Sequence, residues 1–478
     1  MKLQPRLIIF ALGITGLCFI FLQLNRSPGM FANSTYLGGI LALEIVLACL
    51  WQYQKVFFPV TMICFLAADT ANPFAGESFT LRWVFLLVGS LAGAIIWMKS
   101  NRARHFGSFH LVALFCVLSA LASASASSAA LIGLLKAASL FLLFLYAATG
   151  GRVAMAGREG DFVRVLVRAC EVLVFFVSAC YFAGFSIFGN PNNLGAFVGV
   201  IAMPVMLWAA LTAEDRRERQ RRYVALLLCA VLLYVAVCRA AIVADAALMI
   251  GAAIALRRPG LLVRVAFAGA LFLELMAVAN PAHMSEWMDT LSGRFIYKID
   301  GQPTHTGVFG SRKSPWEDTI SAVKQHPWFG TGFGTSDLGE AGVDPDQSST
   351  YTLEGSNREH GSSYLAMAEY MGMLGILPFV ILLAMLARAA ARVFSWMRRT
   401  GSASHYAVPF AMITLAGLIH ASFEDWLFSA GSYLCVFFWV SAFLLIDLTS
   451  PQDAIAPSVA SRSAGFIAPG FRQPTTSV

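Results

Sequence analysis

Three groups of polar residues interrupt an otherwise apolar chain, and each suits chemistry on an anion. The first is GSRKSPWEDTISAVKQHPWFGTGFG, residues 310–334. Trp316, Ile320 and Val323 fall at i, i+4 and i+7, which predicts a short amphipathic helix with Arg312 just ahead of it. Gly330, Gly332 and Gly334 then permit a tight turn. A guanidinium suits a phosphate or pyrophosphate, because its planar fork donates two parallel bonds and never loses its charge. A solvated surface arginine is the plain alternative.

The second group is Arg239 in VAVCRAAIVADAALMIG, with Asp245 six residues on. Arg239 either pairs with Asp245 or a lipid headgroup, or clamps an anionic substrate. Lys136, in another apolar run, is a third cation, with snorkelling to the interface as its alternative role. The third group is REHGSSYLAMAEYMGMLGILPFV, residues 358–380. Arg358, Glu359, His360, Ser362 and Ser363 precede an apolar helix there; either serine can cap it, and its N-terminus favours anions. His360 suits a general base because imidazole titrates near neutrality, although a loop histidine is more often inert.

The elements that carry these groups are membrane helices. The chain has 478 residues, 58% of them hydrophobic and only 13% charged. A hydrocarbon core about 30 Å thick takes about 20 apolar residues per helix. That template predicts an all-α polytopic membrane protein of about fourteen segments: 7–24, 37–51, 56–68, 81–98, 108–124, 129–149, 169–188, 194–212, 223–238, 240–256, 261–279, 363–387, 404–422 and 428–447. The net charge of +7 is dispersed over short connections, which argues against a nucleic-acid surface. No small-residue cleavage site follows the first apolar run, so it reads as an uncleaved helix. The nine cysteines lie in or beside apolar segments without ligand spacing, so neither a disulfide framework nor a zinc site is expected.

Lys and Arg accumulate in cytoplasmic loops. With the N-terminus inside, the inside loops receive Lys55, Lys99, Arg152, Arg158, Arg257, Arg398, Arg399 and the run from Arg216 to Arg222, while the short outside loops receive almost none. The expected topology is therefore N-in and C-in across a bacterial inner membrane. It puts one large loop, 280–362, outside. That loop holds eleven Asp or Glu against six Lys or Arg, and four of the eight histidines. It reads as a folded cap inserted in a membrane domain 1–448, followed by a disordered cytoplasmic tail, 449–478, rich in Ser, Pro and Ala.

SRKSPW, HPWFGTGFG and HGSSYLAMAEYMGMLG together resemble the paired loop signature of the O-antigen ligase and O-antigen polymerase superfamily. The family pattern is Gly-Arg-x-x-x-Trp, a Pro-then-Gly-x-Gly turn, and His-Asn-Ser-Tyr-Leu followed by Gly-x-x-Gly. Arg312 and Trp316 match its four-residue step, and Gly372 and Gly375 its last element. NPNNLG at 190–195, CRAA at 238–241 and HASFEDWL at 420–427 extend the likeness over about residues 185–445. There is one departure. His360 stands four residues before Tyr364, where the family histidine stands three before, and Gly361 takes that slot; either the turn absorbs one residue, or Glu359 is the base.

The resemblance implies a GT-C-like, metal-independent inverting glycosyltransferase without cofactor. Such an enzyme moves a glycan from a polyprenyl-pyrophosphate to a glycan or lipid-linked acceptor, in lipopolysaccharide or exopolysaccharide synthesis. Taken with the residues read above, substrate contacts are expected at Arg239, Arg312, Lys136, Arg358 and Trp316, with His360 or Glu359 catalytic. A metal-dependent oligosaccharyltransferase fits less well, since the first outer loop, 25–36, holds no Asp or Glu for a hard cation. Protein O-glycosylation is a further variant of the transferase reading. A flippase for lipid-linked sugars is the opposing class; it predicts inverted repeats or paired broken helices, which the sequence lacks.

Overall fold

The computed structural model describes residues 5–25, 34–70, 75–99, 106–127, 129–260, 310–335 and 360–449, with single positions 263, 274 and 278 between. Among the described residues every regular element is a helix. In chain order these are α1 (Pro5–Asn25), α2 (Ser34–Trp51), α3 (Phe58–Ala68), α4 (Ala75–Lys99), α5 (Ser108–Ser125), α6 (Ala130–Tyr146), α7 (Arg152–Met155), α8 (Glu159–Phe182) and α9 (Pro191–Ala196). They continue with α10 (Met203–Thr212), α11 (Arg216–Ala236), α12 (Arg239–Ala255), α13 (Gly310–Gln325), α14 (Ser363–Gly375), α15 (Leu377–Thr400), α16 (Ala407–His420) and α17 (Tyr433–Leu448).

Among the described residues, six helices are long and apolar enough to cross a membrane: Gly76–Lys99, Ser108–Ser125, Ala130–Met155, Glu159–Phe182, Pro191–Thr212 and Leu377–Thr400. A seventh crossing arises if Tyr36–Trp51 and Tyr53–Ala68, bent by 116°, form one broken span. The protein is thus a multi-pass α-helical membrane protein, but these lengths do not reach the expected fourteen. The segments expected at 37–51 and 56–68 form one bent pair: the helix breaks at Gln52, whose φ of −116° and ψ of 44° leave the helical region just before a π-helical turn at Tyr53–Phe57. The segment expected at 261–279 lies almost wholly outside the described residues, as do the loop apart from 310–335 and 360–362 and the tail from 450.

The span Pro191–Thr212 runs through the middle of the bundle, with 94% of its apolar window buried. A π-helical stretch, Phe197–Ala202, joins its two halves, and α8, α11, α12 and α16 surround it. Gly199 of that stretch lets α12 approach closely. A Cβ there would come within 2.8 Å of the Ala241 Cβ.

Ion pairs tie the helix ends. At one end Arg152, 1% exposed, pairs through Nε with Asp447 Oδ2 at 2.5 Å, lies 2.9 Å from His110 Nε2, and covers the Trp97 ring at 3.9 Å. At the other end Arg82 of α4 pairs with Asp69 at 3.6 Å and donates to the Gly431 carbonyl at 2.6 Å. Arg82 is an exception to the charge bias that the sequence suggests, and Asp69 compensates it. Removing one partner of a buried pair leaves a stranded charge, which costs about 3–5 kcal/mol. Arg152→Ala is therefore expected to lower the thermal midpoint sharply in detergent; an unchanged midpoint would show that the Asp447 carboxylate is solvated.

Candidate functional site

Stretches far apart in sequence meet at the Arg82 end of the bundle: the first turn of α13, the turn 330–335, the start of α14, the N-terminus of α12, and the connection 421–432 between α16 and α17. Ser363 is the stitch. Its Oγ donates to the Glu424 carbonyl at 2.7 Å and accepts from the Trp426 and Leu427 amides at 3.0 and 3.1 Å. All the bonding capacity of that hydroxyl is used between elements. The expected role of Ser362 or Ser363 in capping its own helix is not the one observed, because neither side chain bonds the first turn of α14.

His360 sits at the centre and is fully buried. Its Nδ1 lies 2.8 Å from Asp425 Oδ2 and its Nε2 lies 3.5 Å from Glu369 Oε2. Tyr370 stands edge-on to the imidazole, ring centroids 5.0 Å apart. The Ser123 hydroxyl on α5 donates to the Tyr370 carbonyl at 2.7 Å and so fixes this turn of α14. Burial by itself lowers the pKa of His360; the hydrogen bonds and negative charges of Asp425 and Glu369 overcome it and raise the pKa to about 9. Asp425 is the member that opens to the surface, with 24% of its side chain exposed against none for His360. Gly361 adopts φ +65°, the left-handed region that glycine takes without a Cβ penalty. This residue lengthens the turn while His360 still points into the cluster.

Arg312 pairs with Glu424, and Trp316 Nε1 donates to the Gly361 carbonyl at 3.1 Å. Arg312 lies inside the first turn of α13 and not ahead of it, since the helix runs through Pro315. The packed face also differs from the expected one. Thr319 is fully buried, whereas Ile320 is 42% exposed. Arg239, the first residue of α12, is half-buried and close enough to Arg312 for their like charges to oppose one another. Asp245 does not pair with it: it is buried against Gly199, and neither carboxylate oxygen has a hydrogen-bond partner among the described residues. Lys136 donates from Nζ to the Gly334 carbonyl at 2.6 Å, so it holds the glycine turn, in which Gly330, Gly332 and Gly334 all have positive φ as expected. Arg358 and Glu359 lie outside the described residues.

Two arginines on neighbouring helix starts can hold a doubly charged anion, and a buried histidine backed by carboxylates can take up or pass a proton. Glu369, Glu424 and Asp425 escaped sequence reasoning, although a carboxylate beside or within an apolar run was itself a signal. Among the described residues no three His, Cys, Asp or Glu side chains are grouped to hold a metal ion.

The helices and this ionisable cluster define a multi-pass membrane protein with a polar site at one end of its bundle. A family model described as O-antigen ligase matches residues 224–380, about a third of the chain. The match supports membership of the O-antigen ligase and polymerase superfamily, and with it a glycan ligase or polymerase type of function in general. It spans Arg239, Arg312, Trp316, His360 and Glu369, and leaves out Lys136, Glu424 and Asp425. No curated protein matches the chain significantly.

Proposed function

We propose that the chain transfers or polymerises a polyprenyl-pyrophosphate-linked glycan on the extracytoplasmic face of the inner membrane, as a metal-independent inverting glycosyltransferase. The observation that carries this reading is the Arg312–Glu424 pair beside the carboxylate-flanked His360, with Arg239 near enough for its charge and that of Arg312 to oppose each other. Two like charges brought together oppose each other, and an anion between them removes that repulsion. In the reaction an acceptor hydroxyl attacks the anomeric carbon from the face opposite the pyrophosphate. The bond to the pyrophosphate oxygen breaks, and its electron pair leaves with that group. Arg239 and Arg312 stabilise the charge that develops there. The hydroxyl proton passes to the His360 and Asp425 pair, which Asp425 opens to the acceptor. Trp316 holds the His360 turn onto α13, and Lys136 holds the glycine turn.

In this reading the membrane segments lie in one domain, 1–448, with both termini cytoplasmic. The arginine bias supports that orientation, and so does the meeting, among the described residues, of the expected outer ends near Asp69, Arg82, Ser123, Arg239, Ser363 and Glu424 at one end of the bundle. A reporter fused within 335–350 is expected to be extracytoplasmic and one within 214–222 cytoplasmic; cytoplasmic activity from the first fusion would overturn the reading. Transfer by the purified protein is expected to survive EDTA. Loss of turnover that one particular metal restores would assign the chemistry to a bound cation instead. The glycan profile of a deletion strain then separates the two activities: single repeat units accumulate when a polymerase is lost, full-length lipid-linked chains when a ligase is lost.

A further inference from the structure

Trp328 and Phe329 are the two most exposed aromatic residues of the 326–329 turn, at 61% and 69%. They follow α13 and precede the glycine turn, in a stretch whose charge and position suggest a water-facing cap. Large apolar side chains left open in this way call for a partner.

The backbone shows what lies beside them. The Met373 amide donates to the Pro327 carbonyl at 2.8 Å and the Leu374 amide to the Trp328 carbonyl at 3.2 Å. The approach is close because residue 372 is glycine: a Cβ there would lie 2.5–2.6 Å from backbone atoms of Trp328, Phe329 and Gly330. The aromatic turn is therefore hung on the end of α14 that leads into α15.

That end belongs to a continuous exposed apolar stripe. Met373, Leu374, Leu377, Val380 and Ile381 are 68%, 58%, 58%, 51% and 42% exposed. They recur at three- and four-residue steps, so they share one helix face. From Leu377 onward the stripe lies on a helix long and apolar enough to span a membrane, whose outward apolar face meets lipid tails. Residues 373–374 continue that face at the point where the span begins. Tryptophan is favoured at this level of a bilayer, where an amphipathic ring meets both headgroups and tails.

We infer that Trp328 and Phe329 form an interfacial anchor that seats the end of α13 in the lipid of the surrounding bilayer. The occupant is the membrane's own lipid, on the ground of continuity with the lipid-facing stripe of α15. The anchor holds the C-terminal end of the helix whose first turn carries Arg312, and Thr331 just beyond it donates its amide to the Glu369 carbonyl at 2.9 Å. The anchor thus ties the level of the site relative to the bilayer to a contact outside the spans. This inference does not depend on the reaction proposed above.

The test is site-directed spin labelling of the full chain in nanodiscs, after Cys18, Cys64 and Cys180, the cysteines that are not buried, are replaced by alanine. Nitroxides are placed through Trp328→Cys and, separately, Phe329→Cys. References are Val380→Cys on the lipid face and Gln220→Cys among the exposed arginines of α11. Collision with dissolved oxygen reports lipid, and collision with a water-soluble nickel chelate reports solvent. The expected oxygen-to-nickel ratio at 328 and 329 lies close to that at 380 and several-fold above that at 220. A ratio equal to that at 220 would overturn the anchor and leave a water-facing aromatic platform. Low access to both reagents would overturn it in favour of a protein partner. Either labelled position gives the reading alone if the other variant does not fold.

Discussion

Arg312→Ala and Arg239→Ala are each expected to lower transfer roughly a hundredfold to a thousandfold, the usual effect of removing one preorganised donor to developing charge. The loss should fall on kcat more than on protein level, since both residues lie at helix starts and not in the buried core. Lysine at either position should recover part of the rate, because it restores the charge without the fork. Arg312 is already engaged. Glu424 holds it, and an anionic donor has to displace that carboxylate. Glu424→Gln is therefore expected to lower KM for the donor while Arg312 stays in place. Purified variants compared at matched protein level decide the matter, and near-normal turnover in both alanine variants would sink the site.

His360→Ala is the second large effect, expected to lower transfer by at least about a hundredfold if the residue takes part in general-base catalysis. Its pH dependence is more diagnostic. With a pKa raised to about 9, the imidazole carries its proton at neutral pH, and the basic form of the His360 and Asp425 pair appears only as pH climbs. The logarithm of kcat/KM should rise with a slope near one up to about pH 9. Glu369→Gln removes one of the charges that raise this pKa and should move the limb to lower pH. A rate that falls over the same interval would make the imidazolium, and not its base form, the working species. Stability runs the other way. Because the folded pKa lies above the ordinary 6.5, the ion-pair contribution is complete below about pH 6.5 and is lost as pH rises through about 9. The most active protein is then the least stable, and thermal midpoints measured beside the rates would show it.

The helices and the cations were legible because their signals are local. Apolar runs mark the bundle, and the four-residue step from Arg312 to Trp316 and the cation at Arg239 can be read without any partner. What stayed hidden depends on contacts across the chain. His360 meets Asp425 from 65 residues away, and no periodicity pairs them. Lys136 could be recognised as a cation at a helix end, but only the fold turns it toward the Gly334 carbonyl. The face of α13 was misread at Ile320, because a three-residue apolar pattern cannot tell a packed face from one that Thr319 fills. The bend between α2 and α3 was missed because a backbone break at Gln52 leaves no compositional mark.

The span Pro191–Thr212 meets almost no lipid, and one of its covers, α16, belongs to the C-terminal hairpin. A ribosome delivers the covered helix about two hundred residues before that hairpin. In the interval the face that α16 covers has only lipid against it, and the bundle stays open along that side. The same hairpin carries Glu424 and Asp425 to Arg312 and His360. Closing the bundle and completing the cluster are therefore one event, and a nascent chain stalled short of residue 407 has neither Glu424 at Arg312 nor Asp425 at His360, however completely its earlier helices have inserted.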